Sequence, residues 1–151
     1  MVLVASDHGA IALRKAVVEL LRSRGIEASE LGPQDGESAD YPDFGEKVAR
    51  AVSGGQAERG ILMCGTGIGM SIVANKFPGV RAALITDDFT AQMSKEHNNA
   101  NIIVMGGRIL TVEQACRLVQ IWLDTPFEGG RHQRRLEKIS AIEEALKSGC
   151  L

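Results

Sequence analysis

The chain has 151 residues, 44% of them hydrophobic, with 17 Lys+Arg against 19 Asp+Glu and a formal charge of −2. That length suits one compact domain of roughly 100–200 residues and is too apolar for a disordered chain. The near-balanced charge and only six aromatic residues argue against a general nucleic-acid binder, which carries a basic excess and stacking rings.

In chain order, strand and helix signals alternate. Val2 to Ser6 reads as a buried strand, and Ala10 to Arg24 as a helix with Leu13, Val17, Leu20 and Leu21 on one face, stopped at Gly25. The spacing then predicts a strand over Glu27 to Leu31, a helix over Asp43 to Val52, a strand over Gly60 to Cys64 and a helix over Gly69 to Lys76. A strand over Ala82 to Thr86, a helix over Phe89 to His97 and a strand over Ile102 to Met105 follow. Thr111 reads as an N-cap with Gln114 completing a capping box, and Val112, Ala115, Cys116, Val119, Trp122 and Leu123 trace one stripe that places Cys116 in the core. A last helix runs from about Arg131 to Lys147. Five strands alternating with helices predict an α/β fold, a parallel sheet with helices on both faces.

No apolar stretch approaches the eighteen or so residues of a membrane span, and MVLVASDHGA lacks the basic region and cleavage site of a signal peptide. The expectation is a cytoplasmic protein that meets no membrane. Cys64, Cys116 and Cys150 are odd in number and far apart, which points to neither a disulfide framework nor a zinc site. Cys150 sits at the chain end and receives no role.

Open parallel sheets bind ligands beyond the carboxyl ends of their strands. The segments that fall there are Ser6-Asp7-His8-Gly9, Cys64-Gly65-Thr66-Gly67-Ile68-Gly69, Thr86-Asp87-Asp88 and Gly106-Gly107-Arg108. Asp87 and Asp88 are also ordinary helix caps, and that reading is preferred for them. The glycines of the second segment alternate at every second position, with Met70 where a dinucleotide fingerprint needs glycine, and no Gly-Lys-Ser/Thr follows for a Walker loop. What remains is a run of small residues at a helix start, a backbone cradle for a phosphate or an oxyanion. Cys64 stands immediately before it. A thiol there can be a base or nucleophile, because helix N-terminal N–H groups favour the thiolate, or it can be a small hydrophobe ending a strand.

Charge is segregated. Arg131, Arg134, Arg135 and Lys138 carry +4, reduced to +3 by Glu137, whereas Glu27 to Glu46 holds seven acidic residues and no Lys or Arg. Arg131 and Arg135 share a face in a first helical turn, where the macrodipole disfavours cations. A phosphate between two guanidinium forks would compensate, and so would a solvated face or salt bridges to the acidic segment.

Ser6-Asp7-His8-Gly9, Asp40-Tyr41-Pro42-Asp43, Gly60 to Gly69, Ala74-Asn75-Lys76, His97-Asn98-Asn99-Ala100-Asn101 and Glu128-Gly129-Gly130-Arg131-His132 together closely resemble the ribose-5-phosphate isomerase type B family, which includes galactose-6-phosphate isomerase subunits. The resemblance runs nearly end to end. It implies a single Rossmann-like three-layer α/β/α domain over residues 1–151, a homodimer able to pair into a dimer of dimers, no metal or organic cofactor, and interconversion of ribose 5-phosphate and ribulose 5-phosphate. It implies Cys64 as the base between C1 and C2, with Gly65, Thr66, Gly67, Ile68 and Gly69 around the enediolate and Thr66 counted among the catalytic groups. His97 is implied as the ring-opening acid/base with Asp7 assisting, Asn98 and Tyr41 as sugar contacts, and His8, Arg108, Arg131 and Arg135 as the phosphate clamp. Isomerisation of another aldose phosphate (allose 6-phosphate, galactose 6-phosphate or a tetrose phosphate), or sugar-phosphate binding without turnover, stand as alternatives. Independently of the family, His97 precedes the fifth strand and so lies near the amino ends of the strands, opposite Cys64. Either the fourth helix departs from simple geometry or His97 serves a partner subunit, and the second is preferred.

Overall fold

In the computed structural model, which describes residues 1–149, five parallel strands form one sheet in the order β2-β1-β3-β5-β4. They are β1 (Val2–Ser6), β2 (Ala28–Leu31), β3 (Arg59–Cys64), β4 (Ala82–Leu84) and β5 (Ile102–Gly106). The helices are α1 (Ile11–Ser23), α2 (Tyr41–Ser53), α3 (Ile68–Ala74), α4 (Asp88–Glu96), α5 (Val112–Asp124) and α6 (Arg131–Lys147). A 3-10 turn at His8–Ala10 precedes α1. The expected α/β sheet with a C-terminal helix is therefore present.

The three central strands are buried on both faces, and alternation along them divides the core. Val2, Val4, Ile61, Met63, Ile103 and Met105 point to one side and pack with Leu13, Val17 and Leu21 of α1, Ala91 of α4 and Leu118, Val119 and Trp122 of α5. Leu3, Ala5, Leu62, Cys64, Ile102 and Val104 point to the other, against Val48 and Val52 of α2 and Met70 and Ala74 of α3. Cys64 is thus sent to the α2/α3 side by the period of two. Helix α6 buries only His132 and Leu136 and leaves Ile139, Ile142 and Leu146 exposed.

Local chemistry explains where element ends differ from expectation. Strand β4 stops at Leu84 rather than Thr86, because the Thr86 N–H is taken by Thr90 Oγ1 as α4 closes its capping box between Asp87 and Thr90. Helix α2 starts at Tyr41, two residues before Asp43, with Pro42 in its first turn, where a missing N–H costs nothing. The Thr111–Gln114 capping box forms as expected. The stripe behind it shifts: Ala115, Leu118, Val119 and Trp122 are buried, whereas Val112 is exposed. Cys116 is corrected from core to half-buried flank, and burial pushes its thiol up from the ordinary value. Cys150 lies outside the described residues.

Candidate active site

At the carboxyl ends of β1 and β3 lies a cleft of about 520 Å³ whose walls include Asp7 and His8, Tyr41, the Cys64–Gly65–Thr66 turn, Ile68, Gly69 and Arg108. Each wall has a local cause. Asp7 is buried and accepts the Gly9 N–H at 2.8 Å, capping the turn that carries His8. The turn after β3 is tied to the one after β5, since the Gly107 N–H donates to the Cys64 carbonyl at 2.8 Å and the Arg108 N–H to the Gly65 carbonyl at 2.9 Å. Parallel neighbours β3 and β5 therefore bring Arg108 over Gly65.

Cys64 is 4% exposed, and its Sγ accepts the Gly67 N–H at 3.2 Å. Gly67 makes this possible with φ of 82°, a left-handed conformation that side chains rarely adopt, and a Cβ there would come within 2.6 Å of Leu84 Cδ1. Gly69 is needed for a different reason. A Cβ at that position would sit 2.6 Å from Tyr41 Cζ, so the tyrosine ring lies against bare backbone. Helix α3 is only seven residues long, so the cradle is a property of the loop backbone more than of a helix dipole.

His97, Asn98, Arg131 and Arg135 are not in this cleft. His97 caps the end of α4, and the nearby Asn101 carbonyl accepts the Gly60 N–H at the start of β3. Four steps of β3 separate Gly60 from Cys64, about 13 Å at roughly 3.3 Å per residue. Simple parallel geometry thus holds, and His97 sits at the amino end of the sheet.

There it joins a second cluster. The His97 and His132 rings stack with centroids 4.0 Å apart and an interplanar angle of 10°. His132 is 2% exposed, with Nε2 2.8 Å from Glu128 Oε2 and 3.3 Å from the Arg131 Nε–H. Arg131 and Arg135 are exposed on α6, and among the described residues neither Arg108 nor Arg135 has an ion-pair partner. Asn98 lines a separate hollow with Asn75, Arg81 and Leu136. The ligand atoms of His97, Glu128 and His132 fall within 4.8 Å of one another. Nearly parallel rings, however, send their in-plane lone pairs side by side rather than to one point, which does not suit a shared metal ion.

Sequence reasoning missed three residues here. Glu128 was legible only as the first residue of Glu128-Gly-Gly-Arg131-His132. Ile72 also lines the cleft, and Arg14, to which the sequence reading assigns no role, is 1% exposed.

A family profile described as Ribose/Galactose Isomerase matches residues 2–139. The chain is 44% identical over 138 residues to "Ribose-5-phosphate isomerase B" of Escherichia coli, covering 91% of this chain and 93% of that one. It is 39% identical over 145 residues to "D-erythrulose-4-phosphate isomerase" of Pectobacterium atrosepticum, covering 95% of each. The solved structure of ribose-5-phosphate isomerase B from Mycoplasma genitalium with bound ribulose-5-phosphate superposes with a TM-score of 0.91 at 39% identity, over 95% of each chain.

Proposed function

The chain belongs to the ribose/galactose isomerase family, and from that premise we propose how its cleft interconverts ribose 5-phosphate and ribulose 5-phosphate. The single observation that carries the reading is the placement of the Cys64 thiol against the small-residue turn, in one cleft with Asp7, His8 and Arg108. Removing a proton α to a carbonyl needs a base beside the carbon and donors for the oxyanion that forms. Cys64 takes the C2 proton, the electron pair moves toward the carbonyl at C1, and an enediolate results. Returning that proton to C1 while the O2 proton passes to O1 gives the ketose. Thr66 and the backbone of Gly65, Gly67, Ile68 and Gly69 hold the enediolate. Oxidation state is conserved overall, so this reading calls for no redox cofactor.

Tyr41 is the sugar contact contributed by α2, and His8 and Arg108 are phosphate ligands. His97, Asn98, Arg131 and Arg135 stand about one strand length away, and in this reading they complete the cleft of a partner subunit in a homodimer. Ring opening by His97, assisted by Asp7, and the arginine clamp are therefore contributed across the interface. The phosphate does not react, so its binding energy serves to hold C1 and C2 in place. The whole chain, 1–151, acts as one cytoplasmic isomerase domain.

Two experiments test this. Purified protein is supplied with ribose 5-phosphate, allose 6-phosphate, galactose 6-phosphate and erythrose 4-phosphate, and kcat/KM is measured for each. The highest value is expected for ribose 5-phosphate, and binding without turnover of any of them would defeat the assignment. Second, inactive Cys64→Ala and His97→Ala proteins are mixed after mild dissociation. Mixed dimers regain activity at one of their two sites if the site is shared, and no recovery argues that each chain is self-contained.

A further inference from the structure

Arg14 is buried in α1, and no step of the isomerisation uses it. Its three nitrogens go three ways: Nε donates to Glu30 Oε1 at 2.8 Å, Nη1 to Ser6 Oγ at 3.0 Å and Nη2 to the Pro33 carbonyl at 2.7 Å. Glu30 is on β2, and Ser6 is the last residue of β1, immediately before Asp7 and His8. Pro33 opens the connection to α2. Residues 34–38 of that connection are exposed and Pro33 is its buried residue, so the near end of the connection is anchored on the guanidinium. Gly32 belongs to the same fit, because a Cβ there would lie 1.8 Å from Arg14 Nη1.

The far end of the connection reaches the cleft. The Ala39 N–H lies 3.3 Å from His8 Nδ1, and two residues later Tyr41 rests on Gly69. One planar fork thus ties the strand end bearing Asp7 and His8 to the loop that delivers Tyr41. An ammonium cannot reach three diverging acceptors from a single nitrogen.

We propose that Arg14 is a positioning residue of the isomerase site, holding the His8 turn and the Tyr41 loop at a set distance so that substrate meets a preformed wall. Its kinetic consequence rests on the isomerase reading. The loop order it creates belongs to the ligand-free protein and is measurable without substrate.

Tyr41 is the chain's one tyrosine, so labelling tyrosine with carbon-13 gives a single ring signal by NMR. In Arg14→Lys, which keeps a charge beside Glu30, that signal moves toward the free-tyrosine shift. The Ala39 amide exchanges about 10-fold faster while β3 amides keep their protection. KM for ribose 5-phosphate rises roughly 10-fold and kcat changes much less, as expected when ground-state and transition-state binding are lost together. Ser6→Ala, which removes one arm of the fork, moves the same readouts the same way by a smaller amount.

A folded Arg14→Lys protein with the wild-type Tyr41 signal and Ala39 exchange overturns the proposal, as does a fall in kcat at unchanged KM. Should Arg14→Lys fail to fold, Ser6→Ala carries the test, and an unmoved signal and KM there overturn it equally. If the wild type turns over no sugar phosphate, the loop readouts still decide the role of Arg14, and only the reading of the site fails.

Discussion

Replacing Cys64 by alanine separates chemistry from packing, because the structure makes the two costs very unequal. Cys64 is 4% exposed, and among the described residues its sulfur has one hydrogen-bond partner, the Gly67 N–H at 3.2 Å. Truncation removes that bond at the edge of an open cleft, where water can replace the acceptor, so the stability cost is about 1 kcal/mol. For a chain of this size that lowers Tm by roughly 2–4 °C. Loss of the proton-transfer base, in contrast, costs about 10²–10⁴ in kcat, or roughly 3–5 kcal/mol at the transition state. KM should hardly move, since in the proposed mechanism the thiol acts on the reacting carbons and not on the phosphate. Cys64→Ser keeps a hydrogen-bond acceptor of similar size but a poor base, and is expected to retain the wild-type Tm and to lose activity like alanine. The assay is ribulose 5-phosphate formed from ribose 5-phosphate, with deuterium incorporation at C2 in heavy water followed by NMR. A Cys64→Ala protein that turns over or exchanges C2 hydrogen within 10-fold of wild type would falsify the assignment of the thiol as base.

Arg135→Ala is expected to raise KM about 10–100-fold with little change in kcat, the loss of one charged hydrogen bond to a non-reacting group; an unchanged KM removes Arg135 from the clamp. Thr111→Ala breaks the α5 capping box and should cost about 1 kcal/mol in urea unfolding, so a midpoint equal to wild type contradicts the cap's role. Trp122 is fully buried and its Nε1–H donates to the Ala100 carbonyl at 3.1 Å. Trp122→Phe leaves that carbonyl without its donor and should cost about 1–3 kcal/mol, visible as a lower urea midpoint at constant m. The Thr90 N–H and hydroxyl hold the Asp87 carboxyl below its usual value, so its contribution is fully present above the ordinary carboxylate range and is lost as pH falls through the depressed value. Comparing wild type with Asp87→Asn, which still caps but carries no charge, the stability difference should shrink on acidification below about pH 4; a difference that grows reverses the sign of the argument.

The amino-acid sequence dictates the element order, the parallel sheet and the half-site around Cys64. Those features follow from local rules: the period of two sends Cys64 to one face, Gly67 permits a left-handed turn, and Thr111 with Gln114 closes a cap within four residues. It also placed His97 at the opposite end of the sheet, since chain order alone puts a residue just before a strand at its amino end. Long-range packing puts β5 between β3 and β4, which brings Arg108 over Gly65, and stacks His97 on His132 beside Glu128. Only it turned Arg14 inward, because whether a helical arginine meets solvent or a carboxylate, a hydroxyl and a carbonyl depends on chain segments up to 19 residues away. Helical period records which face a residue occupies, and the partners waiting on that face are supplied by long-range packing.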